Sequence, residues 1–227
     1  GRTKSQCRLL SAKALPMSRH GRFITLEGGE GAGKSTLLAG LRDDLTQRGV
    51  ALLQVREPGG TPLGEAIRSL VLDPAHPDIS AESELLLMFA ARAQLVRERI
   101  VPALEAGQWV LCDRFVDASY AYQGGGRGQP VERIAELERW ACAGLKPDLT
   151  LLLDLPVATG RARAAGRGAA DRIETEADAF FERVRKVYRQ RAEAEPSRFR
   201  VIDASQAPEH VLRDALAATA QLFESDA

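Results

Sequence analysis

A glycine-rich segment near the start of the chain limits its fold and chemistry more than any other feature. Residues 28–35 read Gly-Gly-Glu-Gly-Ala-Gly-Lys-Ser, which satisfies the pattern G-x-x-x-x-G-K-[ST]. The segment follows an apolar, strand-prone run at 23–26 and leads into a helix-like segment at 35–47. This strand–loop–helix context is what the motif needs to form a phosphate-binding loop.

Such a loop binds phosphate because its glycines let successive backbone N–H groups face one anion, beside the positive end of a helix. We expect Lys34 to contact the outer phosphates and the Ser35 hydroxyl to hold Mg²⁺. The alternative is a glycine-rich turn that binds nothing, and the flanking elements argue against it. The residues expected to bind a nucleoside triphosphate are Gly28, Gly29, Glu30, Gly31, Ala32, Gly33, Lys34, Ser35 and Thr36.

Composition narrows the class of protein and its partners. The 227 residues are 44% hydrophobic and 27% charged, which is typical of one soluble globular domain. Lys+Arg and Asp+Glu both number 31, so no net charge favours a nucleic-acid polymer as partner. No apolar run approaches the roughly 18 residues of a membrane span. We therefore expect neither a nucleic-acid polymer nor a membrane as partner.

The cysteines and the first residues bear on the compartment. The three cysteines are far apart and odd in number, which predicts neither a disulfide framework nor a zinc site and fits a reducing cytoplasm. Cys112 lies in an apolar run and is expected in the core. Residues 1–16 do not resemble a secretory signal, and Met17 is a candidate native start. We expect residues 1–20 to be a poorly ordered or cloning-derived extension and residues 21–227 to form a single domain.

Short apolar runs alternate with helical periodicity along the chain. Strands are predicted at 22–27, 50–56, 108–113, 149–154 and 199–203. Helices are predicted at 34–48, 62–72, 81–106, 130–143, 156–165, 174–193 and 207–223. This alternation indicates right-handed βαβ crossovers and an α/β fold with a parallel sheet covered on both faces. Ligands are then expected at the carboxyl ends of the strands.

Two charged motifs follow predicted strands. Residues 56–61, Arg-Glu-Pro-Gly-Gly-Thr, form a tight loop after the second strand. Arg56 and Glu57 at the strand edge are expected to face the ligand crevice, and the alternative is an ordinary turn. Asp113 ends the third strand, a position that commonly holds Mg²⁺ through water, and Arg114 beside it can clamp a second phosphate. The alternative for this pair is a surface salt bridge.

Three further segments carry candidate binding residues. Four arginines lie among small residues at 161–174, which predicts a mobile cationic lid, or alternatively a solvated helix end. Met88 or Phe89 shares a helical face with Arg92, a surface suited to a nucleobase unless these residues simply pack in the core. Residues 117–128 combine amide, hydroxyl and phenol groups with a flexible glycine tail. They can read a base edge, or they form a surface loop.

Together, in this order and spacing, the motifs resemble bacterial thymidylate kinases from about residue 22 to the end of the chain. The segments that carry the resemblance are 23–36, 56–61, 113–115, 121–128 (Ala-Tyr-Gln-Gly-Gly-Gly-Arg-Gly), 146–151 (Lys-Pro-Asp-Leu-Thr-Leu) and 171–174 (Asp-Arg-Ile-Glu). The resemblance implies a P-loop kinase domain with a five-stranded sheet in the order 2-3-1-4-5 and a short lid. It also implies the reaction ATP + dTMP → ADP + dTDP, with Mg²⁺, in a homodimer.

The resemblance also implies roles around the acceptor phosphate and sugar. Glu30 looks like the carboxylate that reaches the deoxyribose 3′-OH. Arg56 and Arg114 look like the clamp on the dTMP phosphate, and Asp113 looks like the acid of the magnesium network. Tyr122 is implied to pack under the sugar, where a 2′-OH would clash.

Base recognition is implied in the same way. Arg92, Ser119 and Gln123 are expected to read the thymine edge. The family usually stacks thymine on an aromatic residue four positions before this arginine, and here that position is Met88. Phe89 is next to it, so register favours Met88 and chemistry favours Phe89, while a thioether can also pack on a ring face.

One departure concerns the charge on the transferring phosphoryl group. Some family members carry a catalytic arginine inside the phosphate loop, where this chain has Gly31. The resemblance then implies that lid arginines act with Lys34: Arg167 first, then Arg163 and Arg172. An acceptor phosphate is already ionised, so no strong general base is required.

Other functions remain open from the residues alone. The closest alternative is a kinase for another nucleoside monophosphate, and a non-kinase P-loop ATPase is less favoured because the chain lacks a basic excess. A GTPase is excluded by its guanine motif Asn-Lys-x-Asp, since the chain contains no asparagine. We expect the loop at 203–206 to contact adenine.

Overall fold

Five parallel strands form one sheet in the computed structural model, which describes residues 21–165 and 168–224. The strand order is β2-β3-β1-β4-β5, so the predicted order and the P-loop α/β fold are confirmed. Each predicted strand boundary lies within two residues of the observed one. The strands are β1 (Phe23–Gly28), β2 (Leu52–Arg56), β3 (Trp109–Asp113), β4 (Leu149–Asp154) and β5 (Phe199–Asp203).

The central strands are apolar because helices cover both of their faces. Every residue of β1 is buried, and in β4 only the last residue is not fully buried. The two buried threonines of these strands satisfy each other, with 2.9 Å between the side-chain oxygens of Thr25 and Thr150. Cys112 is also fully buried in β3, so its expected place in the core is confirmed.

Helices pack on both faces of the sheet. They are α1 (Lys34–Gln47), α2 (Pro62–Leu72), α3 (Ala81–Leu95), α4 (Val101–Glu105), α5 (Val116–Ser119), α6 (Val131–Cys142), α7 (Val157–Ala164), α8 (Asp178–Ala194) and α9 (Pro208–Glu224). On one face Leu41 of α1 and Ala215 of α9 pack against Ile24. On the other face Phe23 packs with Leu85 of α3, because successive side chains of a strand point to opposite faces.

The single helix predicted over 81–106 is interrupted. Between α3 and α4 the backbone forms a π-helical segment, Val96–Ile100. Pro102 follows directly at the start of α4 and has no N–H to donate to an uninterrupted α-helix. The widened turn lies where that donor is missing.

The expected flexible tail at 117–128 is wrong. After α5 the chain continues as a second π-helical segment, Tyr120–Gly126. A Cβ on Gly126 would lie 2.4 Å from the Phe180 ring, and one on Gly125 would lie 2.7 Å from Val187. These glycines therefore allow close packing against α8.

The extension predicted over residues 1–20 lies outside the described residues and stays a prediction. Within the described ranges, none of the helices combines the length and the apolar character needed to cross a bilayer.

Candidate active site

The phosphate loop joins β1 to α1, and its Lys34 is the first residue of that helix. Gly33 has φ +90° directly before Lys34, the first residue of α1, and Gly31 has φ +69°. The Lys34 ammonium donates to the carbonyls of Gly28 (3.1 Å) and Gly29 (2.9 Å). Burial, with a contribution from the Arg114 charge, lowers the pKa of Lys34 to about 8. A bound anion in the loop would therefore favour the protonated, positively charged form of Lys34.

Gly31 lies directly against helix α7. A Cβ on Gly31 would be 1.9 Å from the Gly160 carbonyl oxygen, and a Cβ on Gly160 would be 2.3 Å from the Glu30 carbonyl oxygen. The left-handed φ of Gly31 adds strain to any side chain there. An arginine at this position is excluded in the observed packing, because two backbones meet where its Cβ would be.

A cavity of about 260 Å³ opens where β1, β2 and β3 end, beside the phosphate loop. Parallel α/β sheets place their ligands at this edge. The predicted residues that line it are Glu30, Gly31, Ala32, Gly33, Lys34, Ser35, Thr36, Met88, Arg92, Asp113, Arg114, Ser119, Tyr122 and Gln123.

Arg114 links the loop to this cavity. Its φ of +68° is unusual for a residue with a side chain. The guanidinium donates to the Gly28 carbonyl (2.9 Å), the Tyr188 hydroxyl (3.2 Å) and Glu30 Oε1 (3.0 Å), and it lies over the Tyr122 ring at 4.8 Å. The Tyr122 hydroxyl donates to the same Glu30 oxygen at 3.1 Å. These contacts hold the Arg114 guanidinium against both the phosphate loop and the Tyr122 ring.

A buried carboxyl group lies behind Arg114 and was not predicted. Glu27 accepts hydrogen bonds from the Phe115 N–H and the Tyr188 hydroxyl, both at 2.7 Å. Burial raises the pKa of Glu27 to about 8, with a smaller contribution from Asp117. The sequence signal was an acidic residue in an otherwise apolar strand. Its contacts hold the backbone turn that carries Arg114.

Arg92 is buried in the opposite wall, and its orientation is set by three partners. It pairs with Glu57 Oε2 (2.7 Å) and donates to the Ser119 hydroxyl (2.9 Å) and the Phe115 carbonyl (3.1 Å). The Phe89 ring lies under the guanidinium at 4.5 Å and is buried in the core. Met88, and not Phe89, is the member of the pair that lines the cavity.

Gln123 completes this wall. Its amide nitrogen donates to Glu84 Oε1 at 2.9 Å, and Glu84 also accepts from Arg127 and Arg172. Arg172 additionally donates to the Val71 carbonyl at 2.7 Å and is buried. The lid cation predicted at Arg172 is thus tied to Glu84, outside the cavity lining.

The two arginines near β2 occupy different surroundings. Arg56 is half exposed and donates to Glu65 Oε2 at 2.9 Å, so it does not line the cavity. Arg68 of α2 does line it, and donates to the Pro58 carbonyl at 3.1 Å. Arg68 was not predicted, because it lies in a helix with no motif around it.

Helix α7 carries Arg163, another of the predicted lid arginines, toward the segment that follows the last strand. Arg163 donates to the Ala204 carbonyl at 2.7 Å. Both residues, with Gln206, line a separate cavity of about 200 Å³ beside the phosphate loop. The loop expected to contact adenine therefore borders the phosphate loop. Arg167 lies outside the described residues.

Asp113 and Ser35 carry oxygen donors of the kind that a magnesium ion prefers. Both line the main cavity, and Asp113 Oδ1 is buried with no hydrogen-bond partner in the described part of the chain. A buried carboxylate oxygen without a partner is costly unless a cation or water satisfies it. Carboxylate and hydroxyl oxygens are also the donors that Mg²⁺ prefers, so these residues fit the ion.

Comparison with known proteins identifies the family. A family model described as thymidylate kinase matches residues 26–215, which is most of the chain. The chain belongs to the thymidylate kinase family. The resemblance drawn from the motifs is thereby confirmed.

Relatives from several bacteria support this membership along nearly the whole chain. A thymidylate kinase of Alkalilimnicola ehrlichii is 60% identical over 193 residues, which cover 85% of this chain and 89% of the relative. One from Pseudomonas putida GB-1 is 57% identical and covers 86% and 92%. One from Ectopseudomonas mendocina is 55% identical and covers 90% and 98%.

Most residues implied by the thymidylate kinase resemblance lie around one cavity, although the polypeptide brings them from four regions, 30–36, 88–92, 113–114 and 119–123. Among the described residues the exceptions are Arg56, Phe89, Arg163 and Arg172, which contact other parts of the protein, and Arg167 lies outside the described ranges.

Proposed function

We propose that this protein transfers the γ-phosphoryl group of ATP to dTMP, giving ADP and dTDP. The observation that carries the proposal is the continuity of one cavity from Lys34 in the phosphate loop to Gln123 in the far wall. Arg114 lies between these ends, where the two phosphate groups would meet. Membership of the thymidylate kinase family supports the same reaction.

The mechanism needs alignment and charge cancellation more than covalent chemistry. An ionised oxygen of the dTMP phosphate attacks the γ-phosphorus of ATP. A new P–O bond forms, the bond to the β–γ bridging oxygen breaks, and ADP leaves with that electron pair. Lys34 offsets charge on the donor phosphates, while Arg114 and Arg68 orient the acceptor.

We assign Ser35 and Asp113 to hold a hydrated Mg²⁺ beside the donor phosphates. The ion would neutralise phosphate charge. The support is the buried, unpartnered Asp113 oxygen in the same cavity as the Ser35 hydroxyl.

The far wall is suited to a pyrimidine deoxynucleotide. We assign Arg92, Ser119 and Gln123 to the thymine edge and Met88 to the ring face, where a polarizable thioether packs well. Glu30 is assigned to the sugar 3′-OH and Tyr122 to the sugar face. Rigid support from Glu57 and the π-helical segment makes these groups pre-organised.

A coupled assay of ADP release tests the function. The protein is incubated with ATP, Mg²⁺ and, in turn, dTMP, dUMP, CMP, UMP, GMP or AMP. We expect strong stimulation by dTMP. Preference for another monophosphate would indicate a different nucleoside monophosphate kinase. ATP hydrolysis that ignores every monophosphate would indicate a non-kinase ATPase.

Arg68 and Arg56 form a matched pair for testing the acceptor site. Arg68→Met is expected to raise KM for dTMP by roughly 10- to 100-fold, the usual effect of losing one charge-assisted hydrogen bond. Arg56→Met removes the same charge from a half-exposed side chain that contacts Glu65, and KM is expected to change little. Steady-state titration of dTMP measures both. A larger effect at Arg56 would restore the prediction made from the motif at 56–61.

Adenine is assigned to the second cavity, between the phosphate loop and the segment 203–206. Arg163 lines this cavity and is held by the Ala204 carbonyl, so we assign it to the nucleoside end of ATP. The Gln206 amide offers polar groups for the base edge.

We propose a homodimer that acts in the cytoplasm. Three large apolar side chains are exposed on α3 and around α6: Leu86 (58%), Val131 (59%) and Trp140 (82%). A second copy of the chain would cover Trp140, the most exposed of the three. Sedimentation is expected to give a dimer for the native protein and a monomer for Trp140→Glu, and an unchanged sedimentation coefficient would exclude Trp140 from the interface. Buried free thiols at Cys112 and Cys142 suit a reducing compartment.

A further inference from the structure

Glu84 is a buried acidic residue that the reaction itself does not use. Its side chain is 1% exposed and lies on α3, behind the wall assigned to the base. Oε1 accepts from the Gln123 amide nitrogen at 2.9 Å, and Oε2 accepts from Arg127 at 3.2 Å and from Arg172. Burial acts to raise the pKa of Glu84, but hydrogen bonds from Arg172, Gln123 and Arg127 lower it below the ordinary value. The carboxylate is therefore ionised at neutral pH.

An ionised carboxylate can only accept hydrogen bonds. Gln123 must therefore turn its NH₂ group toward Glu84, since its carbonyl oxygen would meet negative charge. Within the described residues no donor contacts Gln123 Oε1, and the residue lines the cavity. The Gln123 carbonyl oxygen can therefore accept a hydrogen bond from a ligand in the cavity.

Glu84 cannot easily rotate to release this arrangement. Arg172 binds it and is anchored by two bonds to α2, from Nε to the Val71 carbonyl (2.7 Å) and from its backbone N–H to the Leu72 carbonyl (2.9 Å). Arg127 also binds Glu84 and pairs with Glu176. The carboxylate is held by these two arginines, so the amide that it orients is fixed as well.

We propose that Glu84 is a positioning residue that holds the Gln123 carbonyl toward the base and thereby selects pyrimidines that carry a proton on N3. Thymine and uracil have an N3–H donor, whereas the N3 of cytosine is an acceptor and would face the Gln123 oxygen without a proton between them. This inference rests on the proposed function, which assigns Gln123 to the base edge.

The test compares two identical substitutions on the same helix. Glu84→Gln lets residue 84 donate as well as accept, so Gln123 can flip. We expect the ratio of kcat/KM for dTMP to that for dCMP to fall tenfold or more, mainly through KM. Glu82→Gln alters an exposed side chain that contacts Gln129, and the ratio is expected to stay at its native value. Equal losses with both nucleotides at Glu84→Gln would indicate a purely structural role and overturn the proposal.

A double-mutant cycle with Gln123→Ala separates the proposal from the function on which it rests. If Glu84 acts through Gln123, Glu84→Gln has no further effect on the ratio once Gln123 is alanine. An unchanged ratio in Gln123→Ala alone contradicts the base-reading assignment. A reduced ratio there, with a native ratio in Glu84→Gln, contradicts only the role of Glu84.

Folding is checked by circular dichroism and thermal unfolding. If Glu84→Gln does not fold, Glu84→Asp takes its place, because it keeps the charge for Arg127 and Arg172 but withdraws the carboxylate from Gln123. The same fall in the ratio is expected, and a native ratio in a folded Asp variant overturns the proposal.

Discussion

Replacing Lys34 with methionine is expected to lower kcat by about 10³-fold, the upper range for removing one group that stabilises transition-state charge. The ammonium is buried in the phosphate loop, and methionine keeps the length of the apolar stem without the charge. Steady-state ADP release at saturating ATP and dTMP measures the loss. Lys146→Met is the matched control, since that lysine is 66% exposed and lies 3.8 Å from its partner Glu195. Its kcat is expected to be native.

The same variant tests the pKa of Lys34. A lysine with a pKa of about 8 loses its proton as the pH rises through that value, and the neutral amine no longer attracts phosphate. We therefore expect kcat/KM for ATP to fall above about pH 8 in the native enzyme, because this parameter reports the ligand-free protein. The fall should be absent in Lys34→Met. A native-like decline in that variant would assign the titration to another group.

Replacing Arg167 with alanine is also expected to lower kcat by about 10³-fold, as the loss of an arginine finger does. The reason lies in the phosphate loop. Gly31 meets the Gly160 carbonyl so closely that no arginine fits there, so we assign the role of a loop arginine to the lid residue Arg167. Pre-steady-state and steady-state rates with dTMP measure the effect.

Arg163→Ala is the control for Arg167, because it removes a second lid arginine that contacts the Ala204 carbonyl. Its expected effect is a higher KM for ATP with a much smaller loss of kcat. If Arg167→Ala turns over normally, the assignment to Arg167 is wrong and another lid arginine supplies the charge.

The fold and the position of the phosphate loop beside the cavity were predictable because their signals are local. Buried parallel strands read as apolar runs such as 149–154, and the phosphate loop is one contiguous segment whose shape follows from its glycines. Gly125 and Gly126 show the limit of such local signals. Glycines favour flexibility in isolation, whereas here they let the π-helical segment pack against α8.

The residues of this chain by themselves determined the sheet, the phosphate loop and the identity of most groups around the cavity. Only the tertiary structure decided which of two candidate side chains lines the cavity. Met88 lines it and Phe89 does not, and Arg68 lines it where Arg56 was expected. The physical reason is that helix rotation and distant partners set these directions. Arg56 forms an ion pair with Glu65, and the Arg92 guanidinium lies over the Phe89 ring. Neither contact is encoded in the spacing of a motif.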